Sequence, residues 1–406
     1  MTTRALELFV GAGGLGMGLS MAGVKPLAVV EWDRWACDTL RENQRRGFPL
    51  VSDWPIHEMD ARDFDLSGIP EDIEIVSGGP PCQPFSLGGK HRAHDDHRDM
   101  FPTMIGAIGR LKPKSFIVEN VKGLTRASFA NYFQYILLGL EFPEVSRKPG
   151  EEWGGHLRRL QKMKTGIARE TVSYNVVATL VNAADHGVPQ KRERVIFVGF
   201  RRDLDIEWHF PKPTHSIDAL LHDQWVSGDY WERHGVARKA RPDLPIALAR
   251  RVRMLGDSLI PPMERPWRTV RDAIATLPAA DSDDDHGIHN HRIQLGARAY
   301  PGHTGSPLDM PAKTLKAGDH GVPGGENMLV YPDGDMRYFT AREAARLQTF
   351  PDGFVFHGSW SETMRQLGNA VPVALGAVVA RGVLDRLLSR TKIVETASKN
   401  QREAAA

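Results

Sequence analysis

Short apolar segments alternate with amphipathic segments over about the first two hundred residues. Period-two or continuous apolar patterns predict strands, and spacing of 3.6 residues predicts helices between them. The predicted strands are residues 5–10, 26–31, 73–77, 115–119, 175–182 and 194–200, and the predicted helices are 14–22, 35–44 and 101–111. Alternation of this kind is typical of an α/β fold with a doubly wound, mostly parallel sheet.

The alternation stops near residue 201. Residues 201–336 are rich in Pro, Gly, His and Trp and show no regular strand-helix order, which predicts a smaller inserted domain. Helical spacing returns at 340–348 and 374–388, so we expect 337–390 to rejoin the domain formed by 1–200. Residues 140–171 are interpreted as a surface insertion of that domain, and the polar residues 391–406 as a disordered tail.

Composition narrows the class of protein. Of the 406 residues 41% are hydrophobic, and the net charge of +2 is too small to indicate a nucleic-acid-binding protein by itself. The two cysteines, Cys37 and Cys82, cannot form a disulfide framework or a four-thiolate zinc site. Neither a signal peptide nor an apolar run long enough to span a bilayer is visible. We therefore expect a cytoplasmic protein that does not contact membranes.

A glycine cluster follows the first predicted strand. Residues 9–16 read Phe-Val-Gly-Ala-Gly-Gly-Leu-Gly, a loop that would let a ligand approach the backbone closely, although a simple tight turn explains it equally well. The next strand ends at Glu31, which is suited to ribose hydroxyls, beside Trp32, which is suited to stacking on a purine. Asp60 could accept a hydrogen bond from an adenine amino group. Together these residues predict a site for an adenosine-bearing cofactor.

A cysteine lies on a loop after the third predicted strand. Cys82 is bracketed by Pro80-Pro81 and Gln83-Pro84, at the end of a strand where ligand sites of open α/β sheets lie. A buried free cysteine is normally a small apolar side chain, but this context does not resemble a core position. The pattern favours a nucleophile.

Three further polar features have two readings each. Glu119 ends an apolar strand and is either a group in a sheltered site or a paired structural acid. The cations of the Gln-Lys-Arg-Glu-Arg stretch at 190–194 bind a phosphate or carbonyl group, or form a solvated face. The His286, His289 and His291 loop has irregular ligand spacing, so a polar loop is favoured over a metal site.

These motifs, in this order, resemble the cytosine-C5 DNA methyltransferases of bacterial restriction-modification systems. The resemblance rests on the glycine loop, the acid-aromatic pair, Pro-Cys-Gln, Glu-Asn-Val and Gln-x-Arg-x-Arg. Two later segments complete it, the Arg-Glu-x-x-Arg-x-Gln helix within 340–351 and Gly-Asn-Ala-Val-Pro at 368–372. It extends from Leu6 to about Leu375. Small departures occur at Val10 and Met59, neither of which is a reacting group.

The resemblance implies a Rossmann-like S-adenosylmethionine methyltransferase fold with an inserted target-recognition domain. It implies methylation of C5 of a specific cytosine in duplex DNA, through base flipping and a covalent bond between Cys82 and C6. The implied catalytic residues are Cys82, Glu119, Arg192 and Arg194. The implied cofactor-binding residues are Phe9, Gly11, Gly13, Gly14, Leu15, Glu31, Trp32, Asp60, Pro80, Asn369, Ala370 and Val371. The implied DNA-contacting residues are Gln83, Ser86, Lys90, Thr314 and Leu315, and no metal is implied.

The inserted lobe is expected to read the DNA sequence through the major groove. Its candidate contacts are Arg251, Arg253, Arg265, Arg268 and Arg271. The resemblance further implies a monomeric, nucleoid-associated enzyme that protects host DNA beside a cognate endonuclease. Two alternatives stay open: a tRNA cytosine-C5 methyltransferase with the same motifs, and a catalytically inactive DNA-binding regulator.

Overall fold

A computed structural model describes residues 2–81, 99–165, 171–280, 287–298, 304–318 and 325–404, with the backbone alone from 392 onward. The chain forms two compact units. The first unit comprises Met1–Val181, Glu193–Pro211 and Gly376–Ala406, and the second unit comprises Asn182–Arg192 and Lys212–Leu375. Cys82, Gln83, Ser86, Lys90 and His286 lie outside the described residues.

The first unit is built on a seven-stranded sheet with the strand order β3-β2-β1-β4-β5-β7-β6. Its strands are β1 Arg4–Leu8, β2 Lys25–Glu31, β3 Ile56–Glu58, β4 Ile75–Gly78, β5 Ser115–Val121, β6 Tyr174–Asn182 and β7 Glu193–Arg201. Its first helices are α1 Gly14–Met21, α2 Arg34–Arg45, α3 Phe101–Leu111, α4 Ala130–Glu141 and α5 Trp153–Thr165. The mostly parallel, doubly wound α/β fold expected from the sequence is confirmed.

Strands β1 to β5 run parallel, whereas β7 pairs antiparallel with β5. The central strands β4 and β5 are buried along nearly their whole length, which is why they appear as continuous apolar runs in the sequence. Parallel strands bring their carboxyl ends to one edge of the sheet. Because β7 is antiparallel, its first residues lie at that same edge, beside the end of β5.

The predicted insertion at 140–171 contains the whole of the regular helix α5. Helix α5 packs on α4 through a small apolar cluster formed by Leu138, Phe142 and Leu160. The buried ring of His156 adds polar contacts, with Nδ1 2.8 Å from the Tyr135 hydroxyl and Nε2 2.6 Å from the Val145 carbonyl. The segment is therefore anchored to the first unit by its own small core.

The second unit consists of short elements. Its helices are α6 Ile217–His222, α7 Asp229–Arg233, α8 Ile246–Gly256, α9 Val270–Ile274, α10 Ala341–Leu347 and α11 Trp360–Asn369. Its strands are β8 His215–Ser216, β9 Arg265–Pro266, β10 Ser306–Pro307, β11 Met328–Val330 and β12 Met336–Tyr338. Capping boxes at Thr269/Asp272 and Thr340/Glu343 begin α9 and α10, since each cap satisfies backbone amides that the helix leaves open.

The unit boundaries differ from the segment boundaries expected from the sequence. The second unit already includes Asn182–Arg192 and continues to Leu375, so that α10 and α11 belong to it rather than to a returning segment. The physical reason is hydrogen bonding: Gln190 and Arg192 bond to segments around residues 315, 348 and 368, all within the second unit.

The last helix, α12 Val373–Ala404, differs from the expected disordered tail, because its backbone continues as helix through Ala404. A Cβ atom on Gly18 of α1 would lie 2.5 Å from the backbone of Gly376 and Ala377, so glycine is required for α12 to pack on α1. The stretch Trp360–Thr391, which includes α11 and the start of α12, is long and apolar enough to span a membrane, contrary to the expectation. Since 67% of its apolar window is buried inside the protein, it has the character of core helices rather than of a membrane span.

Candidate active site

A cavity of about 380 Å³ opens at the carboxyl edge of the sheet in the first unit. This volume is typical of sites for small molecules. The lining residues are Phe9, Val30, Glu31, Trp32, Met59, Asp60, Ala61, Arg62, Pro81 and Met100. Four of the predicted cofactor residues, Phe9, Glu31, Trp32 and Asp60, are thus brought together. The predicted cofactor residues Gly11, Gly13, Gly14 and Leu15 lie in the adjoining loop and at the start of α1.

Glu31 joins the glycine loop to the end of β2. Its Oε2 atom accepts a hydrogen bond of 2.7 Å from the Gly11 amide, and its Oε1 atom accepts from the Trp32 and Asp33 amides at 3.0 and 2.9 Å. A carboxylate offers about four acceptor positions, so roughly one is left, on Oε2. Burial raises the pKa of Glu31, although the three amides oppose that shift. The carboxylate is prepositioned for one further donor.

Two aromatic side chains border the cavity. Phe9 follows β1 directly and has φ +59°, a left-handed conformation that is strained for a residue with a Cβ atom. Trp32 is 71% exposed although its side chain is a large aromatic ring system. An exposed indole at the edge of a cavity is suited to stacking on a flat ring.

Asp60 is paired with Arg62. Asp60 Oδ1 accepts from the Arg62 amide and Nε, both at 2.9 Å, and Oδ2 accepts from a terminal guanidinium nitrogen at 2.5 Å. The Arg62 guanidinium lowers the pKa of Asp60, which therefore stays ionised. Arg62 is not among the residues predicted from the sequence, although its position two residues after an acid at the end of a strand is a usable signal.

A buried ion pair lies where β5 ends and β7 begins. Glu119 Oε1 and Arg194 Nε are 2.7 Å apart, without the angle of a hydrogen bond, and both side chains are about nine-tenths buried. The register explains the meeting, since Glu119 is opposite Ile196 and Arg194 is its diagonal neighbour on the same face of the sheet. Burial lowers the pKa of Arg194, and the charge of Glu119 opposes that shift.

The neighbouring Asn120 fixes the start of the cysteine loop. Its Nδ2 donates a 2.9 Å hydrogen bond to the Pro80 carbonyl, and its Oδ1 accepts from the Val121 amide. Because Asn120 is buried, this contact holds the backbone two residues before Cys82. Asn120 has no predicted role of its own in the sequence, where its place beside Glu119 is the signal that points to it.

Arg192 is fully buried in the second unit and bonds to backbone there. Its guanidinium donates to the carbonyls of Leu315, Gly368 and Ala370 at 3.0, 2.6 and 2.9 Å. These contacts favour a positioning role for Arg192 over direct contact with a substrate. They also explain how three segments distant in sequence are held together.

Other predicted residues of the second unit lie close to Arg192 and its backbone partners. The Leu315 amide donates to Gln190 Oε1, and the Thr314 hydroxyl donates to the Lys191 carbonyl. Leu315 is buried, as are Ala370 and Val371, whereas Asn369 at the end of α11 is exposed. Of these predicted residues, Asn369 and the half-buried Thr314 are the ones with polar side chains that reach solvent.

The candidate recognition arginines fall into two groups. Arg251 is paired with Asp218 at 2.5 Å, and Arg271 forms a two-point contact with Asp309 at 2.6 and 3.1 Å. Within the described part of the chain, Arg253, Arg265 and Arg268 have no carboxylate partner. His291 lies in the histidine loop for which the sequence favours a polar loop over a metal site, and its ring nitrogens contact the Thr340 hydroxyl and the Pro278 carbonyl.

Comparison with known families decides the class of enzyme. Residues 3–143 and 158–384 match the C-5 cytosine-specific DNA methylases, which is most of the chain. The chain belongs to this family. It is a DNA cytosine-C5 methyltransferase of the type II restriction-modification class, and S-adenosylmethionine is its methyl donor. The resemblance found in the sequence is therefore confirmed.

Individual relatives agree with the family match. The Type II methyltransferase M.PspPI of Psychrobacter sp. is 30% identical over 401 residues, which cover 96% of this chain and 80% of that protein. M.NgoMIV of Neisseria gonorrhoeae is 27% identical, with coverage of 95% and 99%.

Solved structures resemble the methyltransferase in fold. An E. coli prophage protein described as a DNA modification methyltransferase has a TM-score of 0.57 at 21% identity, and covers 95% of this chain and 99% of its own. The S. pombe Dnmt2 methyltransferase has a TM-score of 0.54 at 18% identity, with the same coverage.

Proposed function

We propose that this methyltransferase acts on a cytosine turned out of duplex DNA, with Cys82 as a covalent nucleophile. The observation that carries the proposal is the buried Glu119–Arg194 pair, which lies at the carboxyl edge of the sheet. In this pair of opposite charges sheltered from water, the Glu119 carboxylate offers an acceptor and the Arg194 guanidinium offers donors to the polar edge of a pyrimidine. Asn120 holds the backbone just before Cys82, on the strand that carries Glu119.

The cavity fits the adenosine part of the methyl donor. The acceptor position left on Glu31 would bind a ribose hydroxyl, Trp32 would stack on the adenine ring, and Asp60 would accept from the adenine amino group. Phe9 and the glycine loop would form the floor. When bound there, S-adenosylmethionine supplies an electrophilic methyl group for C5.

The chemistry needs a nucleophile because C5 of cytosine is not reactive enough by itself. The Cys82 thiolate adds to C6, which breaks the C5–C6 double bond and places the electron pair on C5. After C5 has gained the methyl group, a base removes the C5 proton. The C6–sulfur bond then breaks, the double bond re-forms and the thiolate is regenerated.

Glu119 and Arg194 stabilise the charge that this addition creates. Addition at C6 drives negative charge towards N3 and O2 of the ring. We infer that Glu119 holds N3 and the exocyclic amine, and that Arg194 donates to O2. Donors fixed in advance in a dry site are commonly the largest single contribution to catalysis. Arg192 acts at a distance, as a positioning residue for the backbone around Leu315 and Gly368.

The thiol cannot reach a cytosine that stays stacked in the duplex. Extrusion of the base costs about a few kcal/mol, which contacts of the enzyme with DNA must offset. We infer that the second unit supplies recognition of the sequence, with Arg253, Arg265 and Arg268 available for phosphate or guanine contacts.

The two cysteines allow a matched test of the mechanism. Cys82→Ser should abolish methyl transfer to duplex DNA and leave DNA binding intact. Cys37→Ser should keep activity, because Cys37 is a buried thiol whose pKa is raised to about 12, mainly by burial. Duplexes with 5-fluorocytosine trap the adduct, since fluorine cannot leave C5 as a cation. Denaturing gels should show this adduct for the wild type and Cys37→Ser and not for Cys82→Ser.

The outcomes separate the competing functions. Undiminished methylation by Cys82→Ser would refute the covalent mechanism. Labelling of tRNA but not of duplex DNA would show that the substrate assignment is wrong. Binding of DNA without methylation by the wild type would favour an inactive regulator.

We further propose that the enzyme protects host DNA from a cognate endonuclease, as a monomer. The type II class of its curated relatives supports this role. Bisulfite sequencing of DNA from a host that expresses the chain should show one recurring sequence context. Modified cytosines scattered without a common context would contradict a protective role.

A further inference from the structure

Arg62 places its own charge beside the Asp60 carboxylate in the wall of the cofactor cavity. The side chain of Asp60 is 20% exposed and that of Arg62 is 51% exposed, and both residues line the cavity. The pair is therefore in contact with the space that the proposed function assigns to the adenosine moiety.

The hydrogen bonds leave Asp60 little freedom. Oδ1 accepts twice from Arg62 and Oδ2 accepts once, so about one of the four acceptor positions of the carboxylate remains, on Oδ2. Since Arg62 lowers the pKa of Asp60, the carboxylate offers an acceptor and no donor. Arg62 in turn keeps the guanidinium N–H groups that Asp60 does not use.

The resulting pattern is one acceptor next to several donors. The edge of an adenine ring has the complementary pattern, because its exocyclic amino group donates while the adjacent ring nitrogen accepts. A purine with a 6-oxo group presents an acceptor in place of the amino donor, and the ionised Asp60 would repel it. A site built on hydrogen bonds discriminates strongly against a ligand that leaves those bonds unmade.

We propose that Arg62 and Asp60 act as one recognition pair for the amino-substituted edge of adenine, which makes Arg62 a specificity-determining residue for the methyl donor. The proposal rests on the assignment of this cavity to the donor. Arg62 has two tasks: it orients the free acceptor of Asp60 and adds a donor for the adjacent ring nitrogen.

The test compares two product analogues that differ at one position of the purine. Titration calorimetry with the full chain gives Kd for S-adenosylhomocysteine and for S-inosylhomocysteine, its 6-oxo counterpart. The wild type should prefer the adenosyl compound by roughly 10- to 100-fold, the discrimination expected for one two-point hydrogen-bonded contact. Arg62→Ala should reduce that ratio by about tenfold, and Arg62→Lys by less, because lysine keeps the charge without the planar fork.

Arg41→Ala is the matched control. Arg41 is also a half-exposed arginine paired with an acid at the end of a neighbouring strand, Glu58, but neither residue lines the cavity. Its removal should leave both Kd values unchanged. Quenching of Trp32 fluorescence by either ligand, absent in Trp32→Phe, reports that binding occurs in this cavity.

Each result has one meaning. An unchanged ratio in Arg62→Ala, whether or not both affinities fall together, overturns the recognition pair and leaves the proposed function standing. If the wild type binds neither analogue, or binds them without a change in Trp32 fluorescence, the assignment of the cavity itself is wrong.

Discussion

The carboxyl edge of the sheet in the first unit and the segment 246–263 of the second unit differ in which side chains they expose to water. At the edge, Glu119 and Arg194 are charged yet buried, and Glu31 and Asp60 are held by short hydrogen bonds. In the segment, which we call the α8 segment, apolar side chains are exposed. They are Ile246, Met254, Leu259, Ile260 and Met263, with exposed fractions between 64% and 100%.

We infer from this contrast that the buried polar groups serve the chemistry and that the exposed apolar surface serves recognition of another molecule. Groups that stabilise a transition state are most effective when they are fixed before the substrate arrives. The α8 segment buries only Val252 of its helix, so its outward side chains gain packing only when another molecule covers them. We expect that molecule to be the DNA duplex, since Arg253 lies on the same helix.

Glu119→Gln tests the fixed side of this contrast and should have the largest effect. Glutamine keeps the shape but removes the charge that pairs with Arg194, so kcat for methylation should fall by about 10²- to 10³-fold. Single-turnover kinetics with saturating DNA and methyl donor give this value. The control is Glu141→Gln, since Glu141 is a buried acid on α4 that pairs with Lys164 of α5. Its kcat should be close to that of the wild type. A loss below about tenfold for Glu119→Gln would contradict preorganisation by this pair.

Glu7→Gln sharpens the comparison within the first unit. Glu7 lies fully buried on β1 and accepts from the Gly16 amide, and burial raises its pKa to about 8, with the charge of Glu31 adding to the shift. A Cβ on Gly16 would lie 2.3 Å from Glu7 Oε2, so the loop is packed tightly on this acid.

The sign follows from the raised pKa. The folded state keeps a proton on Glu7 that the unfolded state releases near the ordinary pKa of a glutamate. The stabilisation that this bound proton gives to the folded state is therefore complete at low pH and is lost as the pH rises towards about 8. The stability of the wild type relative to Glu7→Gln should fall by up to about 1.4 kcal/mol per pH unit in that window. Urea unfolding at pH 5 to 9 measures the difference, and parallel curves would show that Glu7 is ionised throughout.

Replacing Leu259 and Met263 by serine tests the exposed side and should have the smallest effect on stability. Because both side chains are almost fully exposed, the free energy of unfolding should change by less than about 0.5 kcal/mol for each. Affinity for cognate duplex DNA should fall by several fold. Leu388→Ser, an exposed position on α12, should change neither quantity. Unchanged DNA binding in the α8 segment variant would show that the duplex does not cover these side chains.

The core of the first unit was predictable because the periodicity of its apolar residues is strong within each short segment of sequence. Helix α3 was predicted with both ends correct, and the buried strands β4 and β5 were found within two residues. The α8 segment showed no usable periodicity, since most of its apolar residues face water instead of a core. Helix α12 was predicted only to 388, because its later residues are polar.

The candidate site was predictable as residue types but not as contacts. Glu119 and Arg194 were both named, yet their meeting depends on an antiparallel β7, a register that no local pattern contains. Arg192 was expected near the reacting groups, whereas its partners are backbone carbonyls more than 120 residues later in the chain. Arg62 and Glu7 were missed because a surface arginine and an acid within a strand are ordinary features when read alone.

The contact between Gly18 and the start of α12 also orders events during synthesis. Helix α1, which follows the glycine loop, is translated before the second unit, whereas the part of α12 that packs on Gly18 begins at Gly376. We therefore expect helix α1, and the glycine loop before it, to reach their final packing only after residues 212–375 of the second unit have been translated.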